Sequence, residues 1–415
     1  MPYDLESARA QFPALAFEDD GRRRIYLDNP AGTQVPAAVV RAMSDCLLRA
    51  NANLGGYFPS SIAAENIVDS ARRAMADFLN ARSDNEIVFG QNMTTITLHM
   101  SRSIGRLFRA GDEIVLSCMD HDANVWPWVL LARDLNLVVK WLPFSRDTFE
   151  FELSALDELL SDRTRLVCVG GASNLTGTLN DVGAICAKAR AAGALTYIDA
   201  VQSVPHVVTD VQDIGCDFLV CSAYKFFGPH QGVLWGRLDV LEQLEPYKVR
   251  PAPTSVPDCF ETGTQSHEGF AGIKAAVDYL EWIGTSMAGA PGGRDALRAA
   301  MRLLFDYEKS LATHLIDGLT AIDGVTVQGI TAPDAMDRRV PTVSFTHADA
   351  DPAHVAESLA RRNIFVWNGH NYAVEVAKTL GIYESGGAVR VGPVHYNSIA
   401  ELDVLLEALP GILGV

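Results

Sequence analysis

The segment CSAYKFFGPHQG, residues 221–232, places one lysine, Lys225, between an aromatic residue and a Gly-Pro turn, directly after the apolar run DFLV. Lysine is costly to bury at the inner end of a strand. It is therefore either a surface amine at a strand end or an amine that bonds covalently to something. Other polar groups stand at comparable places. GALTYIDAVQSV carries Asp199, with Gln202 three residues on; RLVCVGGASNLTG ends near Asn174; EIVLSCMDHDANVWPW ends near His121. EIVFGQNMTTITL puts Met93, Thr94 and Thr95 at a helix start. Singly, each has a local reading: Asp199 as a cap for the next segment, His121 as a satisfied core histidine, Thr94 and Thr95 as helix caps. Together they supply an amine, a carboxylate, a flat imidazole and a helix N-terminus able to seat an anion.

These groups need elements to bring them together. From about residue 85 to 236, short apolar runs (EIVF, EIVL, LVVKWL, RLVCVG, LTYIDA, DFLVCSA, GVLWG) alternate with amphipathic stretches (TTITLHMSRSIGRLF, WPWVLLARDL, DVGAICAKARAAG). The runs read as buried strands and the longer stretches as helices. Such alternation predicts an α/β fold with a mostly parallel sheet covered on both faces, whose ligands bind beyond the carboxyl ends of the strands. Residues 270–320 read as helical, interrupted by the Gly/Pro-rich GTSMAGAPGGRD, a domain boundary. VPTVSFT, DPAHVAESLARR, NIFVW, YAVEVAKTLG, AVRVG and SIAELDVLLEAL follow. They predict a smaller α+β C-terminal domain whose last helix opens on a Ser398/Glu401 capping box. The expected division is an N-terminal segment (1–30) packing with the small domain, a large domain (31–285) and a small one (286–415).

Composition narrows the functional classes. The chain has 415 residues, 48% hydrophobic and 20% charged, with a formal net charge of −17. That acidity disfavours nucleic acid as a partner. No run reaches the ~18 apolar residues of a membrane span, so no membrane partner is expected. The N-terminus has acidic residues where a signal peptide would be basic, so the expected location is cytoplasmic. Seven scattered cysteines form no CxxC pair and predict neither a zinc site nor a disulfide framework. His347, Asp349, Asp351 and His354 form the one metal-like cluster, but Asp351 before Pro352 reads better as a helix cap, and no metal is expected. G-x-G-x-x-G after a strand, a P-loop and H-E-x-x-H are all missing.

Pyridoxal 5'-phosphate (PLP) is the ligand that the set of polar groups suits. Its aldehyde needs a lysine amine, its ring nitrogen a carboxylate, and its phosphate backbone N–H groups and hydroxyls.

With these residues in place, the chain resembles the class V aminotransferases, and among them the cysteine desulfurase and selenocysteine lyase group. The motifs run in family order from YLDNPAGTQVP (26–36) to VRVGPVHYNS (389–398). The resemblance implies fold type I, with a seven-stranded sheet in the large domain. It makes Lys225 the Schiff-base lysine, His121 the residue stacked on the cofactor, Asp199 the partner of the pyridine nitrogen and Gln202 the donor to the ring oxygen. Asn174 falls in the matching SNLTG segment, and Ser222 and Tyr224 become phosphate ligands. Arg390 becomes the fork that grips the substrate carboxylate. The loop ETGT (261–264) matches one that family members lend across a dimer interface, which places Thr264 at a partner's phosphate and implies a homodimer with shared sites.

Two departures stand out. Desulfurases carry a mobile loop, roughly R-x-G-x-x-C-A, whose cysteine accepts sulfur as a persulfide. Here the stretch reads WNGHNYA (367–373): Tyr372 stands in the cysteine position, Trp367 replaces the arginine, and no cysteine follows Cys259. The segment often written NANIHRG reads NANLGG. The expected function is thus a PLP-dependent transferase or lyase acting on an amino acid, with persulfide chemistry lost. Elimination, transamination and racemisation stay open, with Tyr372 as pocket wall or acid. The rivals are a desulfurase using another cysteine, such as Cys118 or Cys259, and a non-catalytic PLP-binding protein.

Overall fold

The structure, a computed structural model, describes residues 3–415. Its centre is a seven-stranded sheet of β1 (Ile87–Gly90), β2 (Glu113–Ser117), β3 (Val138–Leu142), β4 (Thr164–Gly170), β5 (Leu195–Asp199), β6 (Phe218–Ser222) and β7 (Gly232–Gly236). The order across the sheet is β1-β7-β6-β5-β4-β2-β3. Only β7 runs against its neighbours. The strands alternate their side chains between two cores, as the two-residue period requires. On β6, Leu219 and Cys221 join one cluster while Phe218 and Val220 join the other. The helices Met93–Gly105 and Trp126–Leu135 cover one face. Pro59–Leu79, Val182–Ala191 and His267–Ser286 cover the other.

One strand departs from the sequence reading. LVVKWL was expected to be buried, but β3 is the sheet edge, and Val138 and Trp141 are exposed. Its apolar composition gave no sign of that, because edge position depends on topology and not on local pattern.

A second sheet of β8 (Val325–Gln328), β9 (Val343–His347), β10 (Trp367–Gly369) and β11 (Ala388–Val391) is antiparallel in the order β8-β9-β11-β10. It packs with the helices Pro352–Ala360 and Ile399–Leu413. Asp351 caps the first, accepting from Ala353 N at 3.1 Å, and the Ser398/Glu401 capping box opens the second. Gly387, at φ +80°, and Gly369 let the backbones beside β10 and β11 meet; a Cβ on Gly387 would collide with Gly369.

Two features tie the sheets together. The helix Arg294–Thr320 contributes Leu297, Ala300 and Leu304 to a core of the large sheet, then Leu311, Leu315 and Leu319 to that of the small one. Between these halves lies Glu308, wholly buried, which accepts from His206 Nδ1 at 2.7 Å and His395 N at 2.9 Å. The N-terminal strand Ile25–Tyr26 pairs in parallel with Ile364–Phe365, and Gly392 N donates to Leu27 O at 2.7 Å. Residues 28–31 are thereby carried across to the large sheet. Among the described residues no helix is long and apolar enough to cross a membrane, and no group of three or more His, Cys, Asp or Glu side chains could hold a metal ion.

Candidate active site

A cavity of about 470 Å³ opens at the carboxyl ends of β4, β5 and β6, between the two sheets. Eleven of the twelve site residues expected from the sequence line it: Met93, Thr94, His121, Asn174, Asp199, Gln202, Ser222, Tyr224, Lys225, Tyr372 and Arg390. Thr264 does not; it lies exposed on its loop, outside the cavity.

Lys225 follows β6 in a single helical turn and is buried. Its Nζ donates to two backbone carbonyls of the N-terminal segment, Pro30 O and, at 2.9 Å, Ala31 O. It also lies 4.8 Å from the centre of the Tyr224 ring, which stacks on His230. Burial first, and then the nearby Arg390 charge, push the amine down to about 7 against the pull of Asp28 and Asp199. Near neutrality a large fraction of Lys225 is thus an uncharged amine, the form that is nucleophilic and basic.

Asp199 ends β5. Its Oδ1 accepts from Val201 N at 2.9 Å, so the local capping bond is made as well. Burial raises this carboxyl to about 6, opposed by that bond and by Lys225. A cationic partner in the cavity would reverse the shift. Gln202 Nε2 donates at 2.8 Å to Pro30 O, the carbonyl that also takes Lys225.

The helix Met93–Gly105 points its N-terminus at the cavity. Its cap is Asn92, whose side chain accepts from Thr95 N at 2.9 Å, so the alternative local reading of Thr94 and Thr95 as helix caps does not hold. Thr94 therefore keeps its hydroxyl out of the capping bond. Ser222 Oγ accepts from Met93 N at 3.1 Å and joins β6 to this helix start.

His121 opens the turn after β2. Its Nδ1 accepts from Ala123 N at 3.0 Å, which leaves Nε2 as the protonated nitrogen of the neutral ring. Burial, followed by Lys225 and Arg390, holds it down to about 3, so the imidazole is neutral. The Tyr372 ring lies over it, centroids 5.4 Å apart and planes 19° from parallel. Both Asn371 (φ +51°) and Tyr372 (φ +60°) are left-handed, and Tyr372 O accepts from Asp122 N at 2.8 Å.

Arg390 stands on β11. It donates to Asn174 O at 3.2 Å and to Asp28 Oδ1 at 3.3 Å. Asn174 Nδ2 donates to Asn371 O at 2.7 Å, and Ser344 Oγ to Leu175 O at 2.7 Å, so the small sheet grips the loop after β4. Asn174 Oδ1 and Arg390 Nε, both buried, have no hydrogen-bond partner among the described residues. Unpaired buried polar atoms of this kind point to a polar ligand. With a buried amine held only by carbonyls, an Asp199 carboxylate in no ion pair among the described residues and a helix N-terminus around a cavity of ligand size, the residues present fit PLP.

Two side chains and two backbone carbonyls escaped the sequence reading. Asp28 lies within the motif at 26–36 but had no assigned role; it pairs with Arg390. Asp120, fully buried beside His121, accepts from Ser117 Oγ, from Asn124 Nδ2 at 2.7 Å and from Gly170 N at 2.8 Å; burial raises it to about 7. An acid directly before His121 in MDHDAN was the available signal. The carbonyls of Pro30 and Ala31 had no signal, since a backbone acceptor leaves no trace in residue type.

Strand order and lysine position define the class: the fold is that of the type I PLP enzymes. The family model for "Aminotransferase class-V" matches residues 25–405, and the chain belongs to this family of PLP-dependent transferases and lyases. A cysteine desulfurase of Pectobacterium atrosepticum is 32% identical over 99% of this chain and 98% of its own length. One of Yersinia pestis is 30% identical over 99% of each. Among solved structures, the apo cysteine desulfurase of Thermococcus onnurineus superposes with a TM-score of 0.88 at 27% identity, covering all of both chains. The Escherichia coli cysteine desulfurase CsdA superposes with a TM-score of 0.84 at 26% identity, covering 100% of this chain and 99% of its own.

Proposed function

We propose that this protein is a PLP-dependent enzyme acting on an amino acid, desulfurase-like in its machinery but without a persulfide-forming cysteine. The observation that carries the reading is Tyr372, which stands where a sulfur acceptor would be, while no cysteine among the described residues lines the cavity. All seven thiols are held above their ordinary range by burial, Cys118 to about 11. The thiolate is the reactive form, so neither Cys118 nor Cys259 is prepared to accept sulfur.

In this reading PLP, when bound, supplies the electron sink for charge developing at the substrate Cα. Lys225 anchors it and serves as the base for the Cα proton. Asp199 keeps the ring nitrogen protonated, and Gln202 and Asn174 address the ring oxygen and the substrate. His121 covers the ring face. Met93 N, Thr94, Ser222 and Tyr224 receive the phosphate, and Arg390 takes the substrate carboxylate. Thr264, exposed outside its own cavity, serves a partner's phosphate in a homodimer. Residues 31–285 form the cofactor domain, 286–415 the small domain, and 1–30 a segment bridging them; seven free cysteines accord with a cytoplasmic setting.

The test is incubation of the pure holoenzyme with L-cysteine and a thiol, with mass spectrometry of protein and products. The expected result is a cofactor spectrum that responds to amino acids, and no protein persulfide. Stoichiometric persulfide with alanine as product, abolished by substituting Cys118 or Cys259, would return the protein to the true desulfurases. A holoenzyme spectrum indifferent to every amino acid would make it a binding protein.

A further inference from the structure

The geometry points to an amino acid with an aromatic side chain as the ligand of this cavity, with Trp367 as the ring that selects it. The inference rests on the reading of Arg390 as the carboxylate fork. Trp367 is paired directly with Arg390 across the antiparallel strands β10 and β11. Directly opposed residues share one face of a sheet, with Cβ atoms about 4.5–5.5 Å apart. A substrate held by its carboxylate on Arg390 therefore has Trp367 as its neighbour.

The rest of the wall agrees. Trp367 and Tyr372 both line the cavity and are 56% and 68% exposed, large apolar areas left facing solvent. Trp367 stacks on no other ring among the described residues, whereas Tyr372 has one face taken by His121. His370 braces this wall, stacked on Tyr383 at 5.5 Å and edge-on to Tyr372 at 6.2 Å. The charged side chains lining the cavity are Lys225, Asp199 and Arg390. All three are committed to the cofactor or to the α-carboxylate. An acidic or basic substrate side chain would find no counter-ion and would lose hydration without return. A small side chain would leave the two rings uncovered. A flat apolar one covers them and gains stacking beyond its area.

The experiment is calorimetric and absorbance titration of the holoenzyme with L-phenylalanine, L-tryptophan, L-alanine, L-cysteine and L-glutamate. The aromatic pair should bind about three- to tenfold more tightly than L-alanine. Trp367→Ala should erase that preference while Trp367→Phe retains it. Equal affinity for alanine and the aromatic pair, or a preference that survives Trp367→Ala, overturns the inference while leaving the amino-acid site intact. If no amino acid produces heat or a spectral change, the reading of the site itself falls, and this inference with it.

Discussion

The Tyr372 ring rests on the His121 imidazole, 5.4 Å between centroids and 19° from parallel. One face of His121 is thus covered by protein, and the contact couples the residue after β2 to the loop that leads from β10. An aromatic pair of this kind contributes about 0.5–1.5 kcal/mol beyond area. Tyr372→Ala should weaken retention of PLP by about two- to tenfold in equilibrium dialysis, and Tyr372→Phe should not. An identical loss in both variants would assign the effect to the hydroxyl and count against the stack.

Lys225 predicts a pH dependence. Its amine sits at about 7 in the fold against 10.5 in an unfolded chain, so folding disfavours its charged form. The resulting destabilisation is full below about pH 7 and fades as pH rises to 10.5. In the apo protein, Lys225→Met should therefore raise Tm at pH 6–7, with the gain vanishing toward pH 10.5. The rate of PLP uptake by the wild type should be half-maximal near pH 7. A midpoint near 10.5 would show that the amine is not depressed.

Asp199 gives the opposite window. Raised from 3.8 to about 6, its carboxyl destabilises the apo fold above about pH 6 and not below 3.8. A protonated ring nitrogen would offset that cost. The rise in Tm on adding PLP should accordingly be larger at pH 7.5 in the wild type than in Asp199→Asn, by differential scanning calorimetry. Turnover in that variant should fall by about 10²-fold or more.

Glu308 tests the join between the two cores. It is wholly buried on His206 and the His395 amide, and these histidine contacts hold its carboxyl below the usual range despite burial. Glu308→Ala should lower stability by about 3–5 kcal/mol in urea unfolding. The wild type should lose this contribution as pH falls through the range where the carboxylate protonates. A loss below about 1 kcal/mol would show that the two cores do not depend on it.

The readable part of the site was the part carried by side chains at strand ends. Lys225 and Asp199 could be placed because a short apolar run fixes where a strand stops, and a parallel sheet gathers its carboxyl ends on one side. Met93 and Thr94 followed from a helix start. What could not be read came from distant segments. Asp28 reaches Arg390 across 362 positions of chain, and the acceptors of Lys225 are backbone atoms. The stack of Tyr372 on His121 depends on two consecutive left-handed residues, a backbone choice that the residue types Asn and Tyr do not announce together. The edge position of β3 was hidden for a similar reason, since sheet order is a property of the whole chain.

The carbonyls of Pro30 and Ala31 reach Lys225 from a segment whose preceding strand is paired with Ile364–Phe365 and whose Leu27 is tied to Gly392. Those partners lie at the far end of the small domain, long after the large sheet in the sequence. The large sheet has all its strands by residue 236, yet the acceptors that orient the Lys225 amine are tied to residues beyond it. A chain cut before residue 392 should therefore keep the lysine and the whole large sheet but lose the tie that holds its acceptors in place.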